Sequence, residues 1–240
     1  MKKSKVMLFG AMALTAGLAL AACGSSQSSN ADKTYSYIFV SNPDTLDYIT
    51  STRDSTSSIT TNLIDGLLEN DQYGNLIPSM AESWTVSKDG LTYTYKIRQG
   101  AKWYTSEGEE YADVTAHDFV TGLKYAADKK AENLYLVQDS IKGLADYVEG
   151  KSSDFGTVGV KAVDDYTLQY TLNQPETYWN SKTTASILNP VNEAFLKSKG
   201  DDFGSVTPSS ILSNGPYLFK SFSSKSLIEF DKNPNYWDKD

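Results

Sequence analysis

Cysteine and histidine are nearly absent from this sequence, with one of each in 240 residues, Cys23 and His117. A lone cysteine cannot form a disulfide within the chain or build a thiolate metal cluster, and a single imidazole leaves a soft metal without a donor set. Equally missing are the Gly-x-Ser-x-Gly elbow, the Walker phosphate loop, the His-Glu-x-x-His helix and any Cys–His pair. The acid pairs Glu109-Glu110, Asp164-Asp165 and Asp201-Asp202 are adjacent in sequence, so in a strand they point to opposite faces and in a turn both meet water. They read as solvated charges. A secreted enzyme is therefore the weakest reading: no catalytic residue, no metal site and no cofactor is assigned. Basic charge is also short, because 30 acids outnumber 22 lysines and arginines for a net charge of -8, and no stripe exists that would neutralise nucleic-acid phosphates.

Long apolar runs are confined to the N-terminus. Lys2, Lys3 and Lys5 precede an apolar or small-residue stretch from Val6 to Leu20, closed by Leu20-Ala21-Ala22-Cys23. A positive start, a short apolar centre and small residues before a cleavage point make residues 1–22 a secretory signal, too short to span a bilayer stably. Its removal takes away three lysines and no acid, which moves the net charge from -8 to -11. Leu-Ala-Ala-Cys resembles a bacterial lipobox, whose cysteine sulfur receives a diacylglyceryl group. Two acyl chains at about 0.8 kcal/mol per buried CH2 anchor stably where one does not. Residues 23–33, with four serines between Gly24 and Lys33, then form a flexible tether.

Beyond the tether, periodicity predicts mixed strands and helices with no internal repeat. Thr34–Val40 alternates weakly as a first strand, and Ile59, Leu63, Ile64 and Leu67 fall at helical spacing within Thr56–Leu68. Tyr73-Gly74-Asn75 marks a turn. Leu91–Arg98 places Leu91, Tyr93, Tyr95 and Ile97 on one face and Thr92, Thr94, Lys96 and Arg98 on the other, the clearest strand in the chain. Thr115-Ala116-His117-Asp118 has capping-box spacing and opens a helix over 115–130, which makes His117 a surface residue at a helix start. Gly156–Val163 and Tyr166–Leu172 form a hairpin around Asp164-Asp165. Asn192–Lys199 is a short helix, Asn214–Tyr217 a turn and Leu227–Phe230 a late strand. This mixture points to an α/β (α+β mixed) fold rather than a sandwich or a bundle.

A run of blocks in one order carries a family resemblance: Asp65–Leu68, Tyr73–Trp84, Ser87–Arg98, Gly100–Trp103, Val114–Val120, Asn214–Tyr217 and Asn233–Trp237. Together they resemble the oligopeptide, dipeptide and nickel-binding lipoproteins of the bacterial extracellular solute-binding protein family 5, and within it the streptococcal oligopeptide-binding lipoproteins. The residues in the blocks read as structural. Trp84, Tyr93, Tyr95, Ile97 and Trp103 suit a core, and Gly66, Gly74, Gly90 and Gly215 suit turn conformations that other residues would strain.

The resemblance implies a periplasmic-binding-protein-like type II architecture. Residues 34–64 and 187–240 would contribute to its first lobe, with 65–186 as an inserted subdomain and the second lobe missing from this stretch. It implies capture of oligopeptides in a cleft between lobes, held largely through their main chain as in strand addition. Delivery would be to the membrane subunits of an ABC importer, from the extracytoplasmic face of a Gram-positive cell membrane. By position after Leu46-Asp47-Tyr48, Thr52, Arg53, Asp54 and Ser55 resemble the part of the first lobe along the ligand, and Tyr135 joins them by a looser analogy. Family members are at least twice this long, so the sequence reads as part of a longer product or as a truncated surface lipoprotein with a sensing or interaction role and no transport activity. Cys23→Ala should abolish incorporation of labelled palmitate into the expressed protein; equal labelling of mutant and parent would refute the lipobox.

Overall fold

The computed structural model describes residues 35–36, 38–39 and 41–238. The chain divides into an N-terminal unit, Met1–Phe39, and a larger compact unit, Val40–Asp240. The signal segment, Cys23 and the tether lie outside the described residues. In the N-terminal unit the described residues Tyr35, Ser36, Ile38 and Phe39 belong to no strand, so the strand expected over 34–40 is not formed there.

The larger unit is built on a four-stranded antiparallel sheet. Its strands are β3 (Ala81–Val86), β4 (Thr92–Ile97), β7 (Val160–Asp164) and β8 (Thr167–Thr171), in the order β3-β4-β8-β7. Three antiparallel hairpins accompany it: β1 (Leu68–Asn70) with β2 (Leu76–Pro78), β5 (Lys102–Tyr104) with β6 (Glu110–Asp113), and β9 (Tyr217–Ser223) with β10 (Leu227–Lys232). The helices are short apart from one: α1 (Asp54–Thr60), α2 (Ala116–Asp128), α3 (Leu144–Val148), α4 (Trp179–Lys182) and α5 (Glu193–Lys199). The mixture is the α/β class expected.

Alternation in β4 does what it predicts. Tyr93, Tyr95 and Ile97 are buried, Lys96 faces water, and across the ladder Tyr93 sits opposite Tyr170 and Tyr95 opposite Leu168. Trp179, fully buried, closes this face with its ring 5.3 Å from that of Tyr170 and 6.2 Å from that of Tyr93. Trp84, expected in the core, is only half-buried because β3 is an edge strand. Helix α2 begins with the predicted capping box on Thr115 and Asp118, and buries Phe119, Leu123 and Ala126. Asp118 also accepts from the Trp103 indole at 3.1 Å, which ties the helix start to β5.

The helix expected from Thr56 to near Gly66 is the main correction. It starts earlier, at Asp54, and stops at Thr60, although Ile59, Leu63, Ile64 and Leu67 are all buried as expected. Tertiary hydrogen bonds outcompete the next helical turn. The Leu63 carbonyl accepts from Asn214 N (3.1 Å), Gly215 N (2.9 Å) and Ser213 Oγ (2.7 Å). One residue on from Ile64, the peptide of Asp65 pairs with the Asn214 side chain: Asp65 N donates to Oδ1 at 2.9 Å, and Asn214 Nδ2 donates to Asp65 O at 3.1 Å. Gly215 lies so close to Leu63 that an added Cβ would stand 2.8 Å from its carbonyl carbon, so this glycine supplies room rather than the turn conformation expected of it.

Four of the sequence blocks meet here. Asn233 donates from its backbone to Pro216 O at 2.8 Å and from Nδ2 to Gly215 O at 3.0 Å. Tyr236 and Trp237 then reach the Asp65 carboxylate at 2.9 and 2.8 Å. The Arg98 guanidinium stacks 3.9 Å from the Trp237 ring centroid. Burial pushes the Asp65 carboxyl up to about 6, against the lowering effect of its two hydrogen bonds, and burial does the same to Asp118, also to about 6.

Two outcomes follow from these packings. Tyr95→Asp should lower unfolding stability by about 3 kcal/mol or more in a urea melt, whereas Lys96→Gln on the opposite face should change it by roughly 0.5 kcal/mol or less. Equal effects would remove β4 from the core. The raised carboxyl pKa values set a pH dependence of definite sign. The folded state holds these protons more tightly than the unfolded chain, whose reference value is 3.8, so the stabilisation is complete below that value and is lost as pH rises through about 6. Urea midpoints should therefore be higher at pH 5 than at pH 7, with about 1 kcal/mol from each group, and Asp65→Asn should remove its share. A midpoint unchanged or lower at pH 5 would contradict this.

Candidate functional site

The loop leading into α1 shapes an open cavity of about 710 Å³, lined by Ser41, Thr45, Thr50, Ser51, Thr52, Arg53, Asp54, Ser55 and Glu132. The organiser of this loop is Asp47, almost fully buried. Its Oδ1 accepts from the backbone of Ile49 and Thr50 at 3.1 Å each, and its Oδ2 accepts from Thr50 Oγ1 at 2.6 Å. An aspartate that bonds the backbone two and three residues ahead is a local turn device, available from sequence alone.

Long-range contacts then fix the loop in space. Tyr125 of α2 donates its hydroxyl to Asp47 Oδ2 at 2.8 Å, and burial raises that phenol's pKa. Thr45 Oγ1 donates to Gly204 O at 2.8 Å. Gly204 itself has φ +72, and its Cα approaches so closely that a Cβ there would stand 2.5 Å from Asp47 N. Thr56 Oγ1 donates to Thr45 O at 2.8 Å and accepts from Ser51 Oγ at 3.0 Å, which joins α1 to both ends of the loop. On the far side, Asn133 Nδ2 donates to Ile49 O at 3.2 Å and holds the 3-10 turn Glu132–Leu136 beside the cavity.

Among the residues expected to lie along a ligand, Thr52, Arg53, Asp54 and Ser55 are all brought to this cavity. Tyr135 is not among its lining residues; it sits 75% exposed in the adjoining turn, from which Glu132 does reach the cavity. Ser41, Thr45, Thr50, Ser51 and Glu132 were not anticipated. Arg53 Nε lies 3.0 Å from Asp44 Oδ2, with both side chains 68% exposed, an ion pair that water screens heavily. Six of the nine lining residues carry hydroxyls and none is apolar, so the cavity offers hydrogen bonds and charge rather than a greasy slot.

His117 is mostly exposed, with Nε2 3.3 Å from Asp165 Oδ1, as its reading as a surface residue at a helix start requires. All three adjacent acid pairs are exposed, as their reading as solvated charges requires. Among the described residues no group of three or more His, Cys, Asp or Glu could hold a metal ion, and no helix is long and apolar enough to cross a membrane.

Comparison with known proteins identifies the architecture. Residues 75–240 match the family described as bacterial extracellular solute-binding proteins, family 5 Middle. The chain is 66% identical over 236 residues to the oligopeptide-binding protein AliB of Streptococcus pneumoniae, covering 98% of this chain and 36% of that relative. A crystal structure of the substrate-binding domain of an oligopeptide ABC transporter from Bacillus anthracis superposes with a TM-score of 0.78 at 33% identity, over 85% of this chain and 38% of that one. Listeria monocytogenes OppA bound to peptide gives a TM-score of 0.75 at 32% identity, over 83% and 38%. The chain thus spans little more than a third of the length of these relatives. With several of its signature blocks gathered around Asp65 and residues 75–240 matching the family, the chain belongs to the bacterial extracellular solute-binding proteins of family 5.

Proposed function

We propose that this chain forms one wall of an extracytoplasmic receptor that captures oligopeptides and passes them to an ABC importer, held at the membrane by lipid on Cys23. The observation that carries the reading is the cavity at Thr50–Ser55. It is open, lined by polar and charged residues, and shaped by a loop that Asp47, Tyr125 and Gly204 hold from three directions, in a chain so similar to an oligopeptide-binding protein. A polar wall of this kind suits a ligand recognised by its main-chain amides and termini rather than by one apolar side chain. Thr52, Arg53, Asp54 and Ser55 would face the peptide, with Tyr135 beside it. The relatives are oligopeptide-binding proteins by name, which favours binding without turnover.

Affinity in this scheme needs a second wall. A peptide lying on one open surface keeps water on its other side, yet still pays an association cost of roughly 4 to 15 kcal/mol. Closing a second body over it buries the remaining surface and satisfies its amides from both sides. Calorimetry tests this with two proteins lacking residues 1–23. The shorter protein, which ends at Asp240, should bind short peptides with a Kd weaker than about 0.1 mM. The same chain fused in register to the remaining two thirds of the pneumococcal relative should bind in the micromolar range or tighter. Micromolar binding by the short chain would show that one wall suffices, and a folded fusion that binds no peptide would overturn the receptor reading.

A further inference from the structure

We infer that the Asn214–Gly215 step is a spontaneous deamidation site that the folded junction shields, so that opening of the junction is recorded as a covalent change that weakens every later closure. This property belongs to the junction and is independent of what the cavity binds.

Asn214–Gly215 is the one Asn-Gly step in the sequence. Such a step is chemically labile because glycine presents its backbone nitrogen with no side chain to hinder approach. The Gly215 nitrogen attacks Cγ of Asn214, the Cγ–Nδ2 bond breaks, and Nδ2 leaves as ammonia with the proton taken from the Gly215 amide. Water then opens the cyclic imide at either carbonyl and returns a proton to that nitrogen. One opening restores the backbone with aspartate at 214. The other routes the main chain through the former side chain and so adds a methylene to it. No oxidant or cofactor enters the balance.

The fold occupies each group that the reaction needs. Gly215 N donates to Leu63 O at 2.9 Å, which holds the proton that must leave. Both polar atoms of the Asn214 side chain are bonded to Asp65, at 2.9 and 3.1 Å, so the rotation that would bring Cγ onto the Gly215 nitrogen breaks two hydrogen bonds at once. Asn233 Nδ2 holds Gly215 O at 3.0 Å, and Asn214 is only 2% exposed, which keeps out the water that the second step consumes. Reaction therefore waits for opening.

Neither product fits the closed junction. Aspartate at 214 has no donor for Asp65 O, which would be left unpaired and would face a buried carboxylate oxygen instead. The added methylene would lengthen the backbone between two fixed points. One is Ser213, bridged to Tyr104 in both directions at 2.7 and 2.9 Å; the other is Gly215, which has no spare room beside Leu63. The step is thus protected while the network is closed, and its conversion cannot be undone by refolding.

Mass spectrometry of the purified chain reads this directly, because the tryptic peptide Gly200–Lys220 contains a single asparagine, Asn214. Samples held at mildly alkaline pH, in buffer and across a urea series, are compared with the same peptide made synthetically. In buffer the folded chain should convert Asn214 at least about a hundredfold more slowly than the synthetic peptide, and across the series the rate should rise with the unfolded fraction to the peptide's own value. Asn233→Ala, which releases Gly215 O, should raise the rate in buffer about five- to thirtyfold. If that variant does not fold, the urea series on the parent decides alone. The deamidated fraction, separated by its extra negative charge, should unfold at a lower urea midpoint than the intact fraction. A smaller difference between folded chain and peptide, a rate indifferent to the unfolded fraction, or a deamidated fraction with the parent's midpoint would overturn the inference.

Discussion

The pairing of one side-chain amide with the backbone of one residue organises this molecule. Asn214 presents Oδ1 and Nδ2 to the N–H and C=O of Asp65, as a neighbouring strand would, but with a single residue. That clamp joins positions separated by 149 residues. Leu63 adds its carbonyl, which takes three donors from Ser213 to Gly215, and Asn233, Tyr236 and Trp237 close over the result. Buried polar groups are costly unless paired, so a network with so many mutual partners stabilises only when every segment is in place. Four of the signature blocks are therefore parts of one junction. They report how the chain is tied, and none of them lines the cavity at Thr50–Ser55.

The junction still reaches the cavity through α1. Because the chain is withdrawn from the helical ladder at Leu63, α1 is only Asp54–Thr60, and the loop before it must be stabilised by other means. Asp47 does this locally, while Tyr125 and Gly204 tether the same aspartate to α2 and to the 200–210 segment. A wall made of backbone turns and hydroxyls, fixed at its base and open at its face, can line an extended ligand without prescribing its side chains. The one cation in its lining, Arg53, is paired with Asp44.

How far the sequence could be read depended on the range of the interactions involved. Tyr93, Tyr95 and Ile97 declared a buried face because strand alternation is local, and Thr115 with Asp118 declared a helix start because the capping box spans three residues. Thr52–Ser55 were placed by likeness of position, and the structure gathers them at one cavity, but Glu132 was missed because its nearness to the loop depends on Asn133 reaching Ile49 across 84 residues. The same limit explains the helix drawn too long over Leu63–Leu67. Their spacing is helical and their burial real, yet the partners that end the helix lie near Asn214. Trp84 was assigned to the core from its residue type, whereas its exposure follows from β3 having a neighbour on one side only.

Amide hydrogen exchange at Asp65 tests most directly whether the Asn214 clamp holds the fold together. The account predicts that this amide, hydrogen-bonded at 2.9 Å to Asn214 Oδ1 and lying in no helix or strand, opens only with global unfolding, and that Asn214→Ala both releases it and lowers global stability by roughly 2 to 3 kcal/mol. An Asp65 amide that exchanges as fast as an exposed loop, or an Asn214→Ala variant as stable as the parent, would contradict it.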